Sequence, residues 1–154
     1  MDRTSRSLWS NIDIACPMNY KPGGTGIVTL GVSSSRIKEG DNDKLGRWSY
    51  QIFDAKGKRD VMIISIYQCY NPSTSEGLIT AHRQQVMQLS AMNRADRNPR
   101  KNFKKDLIRL IKQKQTQNPS LVPIIVGDWN EECSGTSTSM ELCKEFRLVS
   151  IFDK

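Results

Sequence analysis

Asp128 and Asn130 stand two residues apart in Gly127-Asp128-Trp129-Asn130, directly after the apolar run Ile124-Ile125-Val126. A carboxylate at a strand's end can be held rigidly and still face solvent. In that place Asp128 could orient or deprotonate a water, or ligate Mg²⁺, which takes oxygen ligands. Asn130 carries amide hydrogens that can stabilise charge building on a phosphate oxygen. Gly127 leaves room for a tight backbone. The same residue types also make an ordinary Asx-type turn, so composition alone supports both readings.

A second group is the basic stretch over residues 94–114. It holds nine basic residues, Arg94, Arg97, Arg100, Lys101, Lys104, Lys105, Arg109, Lys112 and Lys114, against Asp96 and Asp106. That excess equals the whole chain's net charge of +7, so the rest is close to neutral. Concentrated positive charge suits a phosphate-tracking surface with salt-sensitive affinity, and Arg100, Lys101, Lys104 and Lys105 are its candidate contacts. The competing reading is the solvated face of a helix over a sheet, with lysine stems lying on apolar surface. No aromatic residue interleaves these charges in a stacking pattern.

These groups need elements to hold them. Residues 25–30, with Gly23 and Gly24 ahead, read as a strand. Residues 39–43 are a polar turn, and 47–53 alternate like a half-buried strand. Residues 56–58 fit a hairpin loop, and 61–67 are apolar enough for a strand buried on both faces. A helix is expected over 82–92, with Met87 and Met92 in its core face. A longer one is expected over 99–115, capped by Asn98, opened by Pro99 and apolar at Phe103, Leu107, Leu110 and Ile111. Residues 123–126 form a short buried strand, with Pro123 acceptable as its first residue. Thr138 and Glu141 have capping-box spacing for a helix to Phe146, and 148–152 suit a last strand. Trp9, Ile12 and Ile14 suggest a short buried piece before Pro17 and Pro22. The pattern is α/β, with mixed sheets and outer helices.

The totals bound the function class. In 154 residues there is room for one domain, and 37% apolar content points to a thin core. No apolar run approaches the ~18 residues needed to span a bilayer, and no signal peptide is evident. Cys16, Cys69, Cys133 and Cys143 form no C-x-x-C pair, and the one histidine, His82, is remote from them. Reduced structural cysteines are therefore expected, without zinc, in an intracellular protein of cytoplasm or nucleus, with no membrane partner. His82 reads as a surface or helix-start residue, and the three tryptophans read first as packing.

Val126-Gly127-Asp128-Trp129-Asn130 resembles the Gly-Asp-Phe-Asn motif of the endonuclease/exonuclease/phosphatase superfamily, with Trp129 where the family has Phe. Ile64-Ser65-Ile66-Tyr67 resembles the family strand ending in a phosphate-contacting tyrosine. Tyr20-Lys21-Pro22-Gly23-Gly24-Thr25, Gly46-Arg47-Trp48 and the helix from Pro99 to Leu107 resemble the versions linked to retrotransposon reverse transcriptases. The resemblance spans about residues 20–153. It implies a DNase I-like, four-layered α/β sandwich and Mg²⁺-dependent phosphodiester hydrolysis of nucleic acid, DNA first. It also implies that Asp128 orients or deprotonates water, and that Asn130 and Tyr67 contact the phosphate, with Tyr70 a rival to Tyr67.

The family pattern breaks at both ends. Its metal-binding glutamate precedes the Gly-Gly segment, whereas residues 1–22 hold Asp2 and Asp13 but no glutamate. Its closing Asp-His pair follows further on, whereas this sequence ends at Lys154 and His82 precedes the motif. Residues 1–154 therefore read as one partial domain, with Asp128 the one possible metal ligand. Weak or absent activity and uncovered apolar sheet surface are expected. A non-catalytic nucleic-acid-binding remnant, and a phosphatase or phosphodiesterase of the same fold, are the rival functions.

Overall fold

The computed structural model describes residues 4–10, 23–57, 59–70, 80–132 and 134–150. Among these, β1 (Ser5–Ser10) pairs antiparallel with β2 (Thr25–Leu30), and a 3-10 helix (Gly31–Arg36) follows. Next come β3 (Ile37–Asn42), β4 (Trp48–Phe53), β5 (Val61–Tyr67), α1 (Ala81–Ala91), α2 (Pro99–Gln117), β6 (Val122–Asp128) and α3 (Thr138–Phe146). The larger sheet has the order β3-β4-β5-β6, antiparallel except for the parallel pair β5–β6. The class is α/β with a mixed four-stranded sheet, as the element pattern predicts.

One face of that sheet carries the core. Trp48, Tyr50 and Ile52 of β4 and Met62, Ile64 and Ile66 of β5 are buried with Phe103, Leu107 and Ile111 of α2 and Leu142 of α3. The α2 residues recur every fourth position, one apolar stripe on the sheet. Each such side chain contributes roughly 1.5–3 kcal/mol on burial. Asn98 caps α2 by accepting from Lys101 N–H, and Pro99 opens it. Arg47, at the start of β4, is buried over the Trp48 ring and bonded to Asp43 and Asp106. This ion network ties the β3–β4 turn to the middle of α2.

The opposite face is covered unevenly. Thr25 and Thr29 of β2 bond Ser49 (2.9 Å) and Gln51 (2.6 Å) of β4, so the small sheet lies over this part of the large one. β4 is thereby buried on both faces, not half-buried as its alternation suggests. β5 shows the reverse: its apolar run reads as doubly buried, but its residues alternate between buried and half-buried. On β6, Ile124 is 45% and Val126 49% exposed, so the expected buried strand is an open one. These two form an exposed apolar strip on this face of β6.

Other local expectations are corrected. Residues 39–43 are not a turn, because Ile37–Asn42 pairs with β4 as a charged, exposed edge strand, a common way to blunt an edge. Met87 and Met92 are exposed, since α1 buries Ala81, Gln84, Gln85 and Leu89 instead. Ser137, not Thr138, caps α3, accepting from Met140 N–H. Leu148, Val149 and Ser150 are not in a strand, and Val149 is 89% exposed. Residues 151–152 of that expected strand, Lys58 of the hairpin loop, and Ile12 and Ile14 lie outside the described residues. Trp9 lies on an exposed strand, its ring across Gly26. Pro123 is the second residue of β6. Val122 N–H donates to Asp60 O, and Asp128 O accepts from Gln68 N–H. Even-numbered residues thus turn their backbone toward β5, and Pro123 turns its nitrogen toward the open edge, where no N–H is needed.

Candidate functional site

The parallel register sets Tyr67 opposite Asp128, at the carboxyl ends of β5 and β6. Strands in α/β sheets present ligand-binding residues at those ends, where backbone pairing stops and side chains face outward. Side-chain alternation puts Tyr67 and Asp128 on the same sheet face as Ile124 and Val126. Gly127 makes the approach possible: its φ is +138°, and a Cβ there would stand 2.0 Å from Ile66 O. The Tyr67 ring lies against Gly23, where a Cβ would also meet Ala81 Cβ at the start of α1. Tyr70 is exposed three residues beyond.

Asp128 is exposed, and Asn130 holds it. Asn130 N–H donates to Asp128 Oδ1 (3.0 Å), and Asn130 Nδ2 donates to Asp128 Oδ2 (3.0 Å) and to Gln68 O (2.8 Å). The first bond is the Asx turn that these residue types favour, so the plain reading of the motif is realised within the site. A primary amide has two hydrogens, and both of Asn130's are engaged. In this geometry Asn130 orients the Asp128 carboxylate. Its φ of 44° is in the left-handed region, which asparagine tolerates at a cost.

Three residues that sequence reasoning assigned no structural role at the turn secure it from below. Gln68 is fully buried and donates through Nε2 to Trp129 O (2.9 Å) and to Glu131. Arg100 Nη1 donates to Cys69 O (2.8 Å) and Asn130 O (3.0 Å), and Nη2 reaches Glu131 Oε2 (3.4 Å). Glu131 accepts from Thr138 N–H (3.0 Å) and Ser139 N–H (2.8 Å), at the positive end of the α3 dipole. Burial pushes the Glu131 carboxyl up, but these N–H bonds, the Ser139 side chain and Gln68 outweigh it, and the net shift is down. Glu131 lies seven residues before Thr138, beyond any capping spacing, so no local pattern marks it. Trp129 packs edge-on against Phe103 in the core, the packing role expected of it.

The remaining candidates sort by what they touch. Of the nine basic residues over 94–114, seven are in ion pairs within the chain, including Lys104 with Glu141 and Lys105 with Asp96. Arg97 and Lys101 are exposed and in no ion pair among the described residues. Most of the seven pairs are at the surface, where each is worth under about 1 kcal/mol and can exchange partners. Arg100 differs, at 20% side-chain exposure with a partner at 10%. His82 is the second residue of α1, its pKa lowered by burial and then by Arg100. Cys69 is buried, which pushes its thiol up to about 11 against the pull of Arg100 and keeps it protonated at neutral pH. Neither Cys69 nor Cys143 is in a disulfide, and Cys16 and Cys133 lie outside the described residues.

The donor set tests the Mg²⁺ that the resemblance implies. Among the described residues no three His, Cys, Asp or Glu side chains converge on a metal position. Asp128 and Glu132 are the exposed carboxylates here, while both Glu131 oxygens are bonded to backbone N–H groups. The described residues of the turn therefore offer Mg²⁺ separate carboxylates and not a three-ligand cluster. Among the described residues no helix is long and apolar enough to cross a membrane. Set beside known proteins, the chain matches no family model, no curated protein and no solved structure.

Proposed function

We propose that this chain is a domain of the endonuclease/exonuclease/phosphatase type, part of a four-layered sandwich, that engages phosphodiesters of nucleic acid at the Tyr67–Asp128 strand exit. The observation that carries the reading is the register of β5 and β6, which sets Tyr67 beside Asp128 at the strands' carboxyl ends. In this reading Asp128, exposed and oriented by Asn130, takes the proton of an attacking water or aligns it. Tyr67 stands beside it as the phosphate-side group. Arg97 and Lys101 supply the unpaired charge nearest this end of α2, with DNA the first substrate class.

Asp128 alone does not chelate Mg²⁺ from the protein side, so no step is routed through the metal. With no cluster of three ligand side chains among the described residues, we expect slow hydrolysis, because a missing charge-stabilising group costs on the order of 10²–10³ in rate. Nicking of supercoiled plasmid, with Mg²⁺ or with EDTA, tests this beside Asp128→Ala. Slow nicking that Asp128→Ala abolishes supports the reading. Nicking equal in the folded mutant removes Asp128 from the chemistry. The second reading, a non-catalytic nucleic-acid-binding module, is favoured by the lack of a carboxylate cluster among the described residues. It predicts salt-sensitive DNA binding and no nicking.

A further inference from the structure

Arg100 belongs by sequence to the basic stretch, but its surroundings set it apart. It is the basic residue of that stretch whose guanidinium reaches the ends of two strands: Cys69 O beyond β5 and Asn130 O beyond β6. Through Glu131 it also reaches the first turn of α3, because Glu131 accepts from Thr138 and Ser139 N–H. Asn130 is itself held in the left-handed region, and its side chain and N–H are what orient Asp128. A planar fork can serve two carbonyls and a carboxylate at once, which an ammonium cannot do with the same geometry.

Resting on the strand-exit site proposed above, we infer that Arg100 is a positioning residue for the Asp128 turn and not a contact for a phosphate backbone. It fixes the carbonyl of Asn130, and Asn130 in turn aims Asp128. Arg97 and Lys101, which have no such ties, carry the outward charge at the same helix end. The division assigns one arginine to the floor of the site and its neighbours to the ligand.

Amide hydrogen exchange of the full chain tests the inference. In Arg100→Ala, exchange at Asn130, Thr138 and Ser139 should quicken by about tenfold or more, while the Ile64 and Ile66 amides of β5 stay protected. Arg100→Lys, which keeps the charge, should show the same local loosening, and it decides the matter if Arg100→Ala does not fold. The salt dependence of binding to a DNA duplex gives the second readout. Its slope should be unchanged in Arg100→Ala and should fall by about one in Lys101→Ala. Unchanged exchange at the three amides overturns the proposal, and a slope reduced by about one in Arg100→Ala makes Arg100 a phosphate contact. If the unaltered chain binds no duplex, the nucleic-acid reading fails, while the exchange data still decide what Arg100 does.

Discussion

β4 and β5 are adjacent strands whose sequences point the wrong way round. β4 alternates Trp48, Tyr50 and Ile52 with Ser49 and Gln51, yet it is buried on both faces because β2 brings Thr25 and Thr29 onto the polar one. β5 is nearly all apolar, yet its second face is half-buried, and the next strand exposes Ile124 and Val126. An apolar residue shows that a face can be buried, and a polar one shows only that burial needs a partner. Which face is covered depends on a separate sheet that neither strand encodes.

The largest expected effect contrasts the two faces with one residue type. Ile64→Ala should cost about 2–5 kcal/mol in urea unfolding, since Ile64 is fully buried under α2. Ile124→Ala should cost under about 1 kcal/mol, because the side chain already meets solvent. Equal costs would mean that the open face is covered in solution, and the contrast would break.

A smaller effect probes the covered polar face. Thr29→Val should leave Gln51 Oε1 buried without its donor, costing about 1–3 kcal/mol. Adding Gln51→Leu should recover much of that loss, because no orphaned acceptor remains. A double-mutant cycle with no coupling would mean that the small sheet does not pack on β4 as described.

The smallest effect is at the turn. The Glu131 pKa is below its ordinary value in the fold. Its contribution is therefore present above the unfolded value, near pH 4.3, and is lost as pH falls through the lower folded value. Exchange at Thr138 and Ser139, corrected for the intrinsic rate, should quicken in acid before that of the β5 amides. Glu131→Gln should flatten this acid response. A response that persists in that variant would place the titrating group elsewhere.

The candidate site was partly legible, and the reason is locality. Gly127, Asp128 and Asn130 could be read because a tight glycine and an Asx turn are properties of a few consecutive residues. Asn98 and Pro99 at the start of α2, and the spacing of Phe103, Leu107 and Ile111, could be read for the same reason. Gln68, Arg100 and Glu131 could not. Their partners lie on other elements, and Arg100 looked like one more charge in a basic run. Met87 and Met92 misled because α1 buries two glutamines on its inner face, and polar residues conceal an apolar period.

By itself the sequence determined the α/β class, three helices nearly to their ends, and the strand-exit turn with its carboxylate. Each follows from backbone sterics and short-range hydrogen bonding within a few residues. Only the tertiary structure decided that Tyr67 stands beside Asp128, that both Asn130 amide hydrogens are engaged, and that one arginine clamps the turn. It also decided which apolar face lies open. These features follow from strand register and sheet stacking, where residues far apart in the chain compete for the same surface.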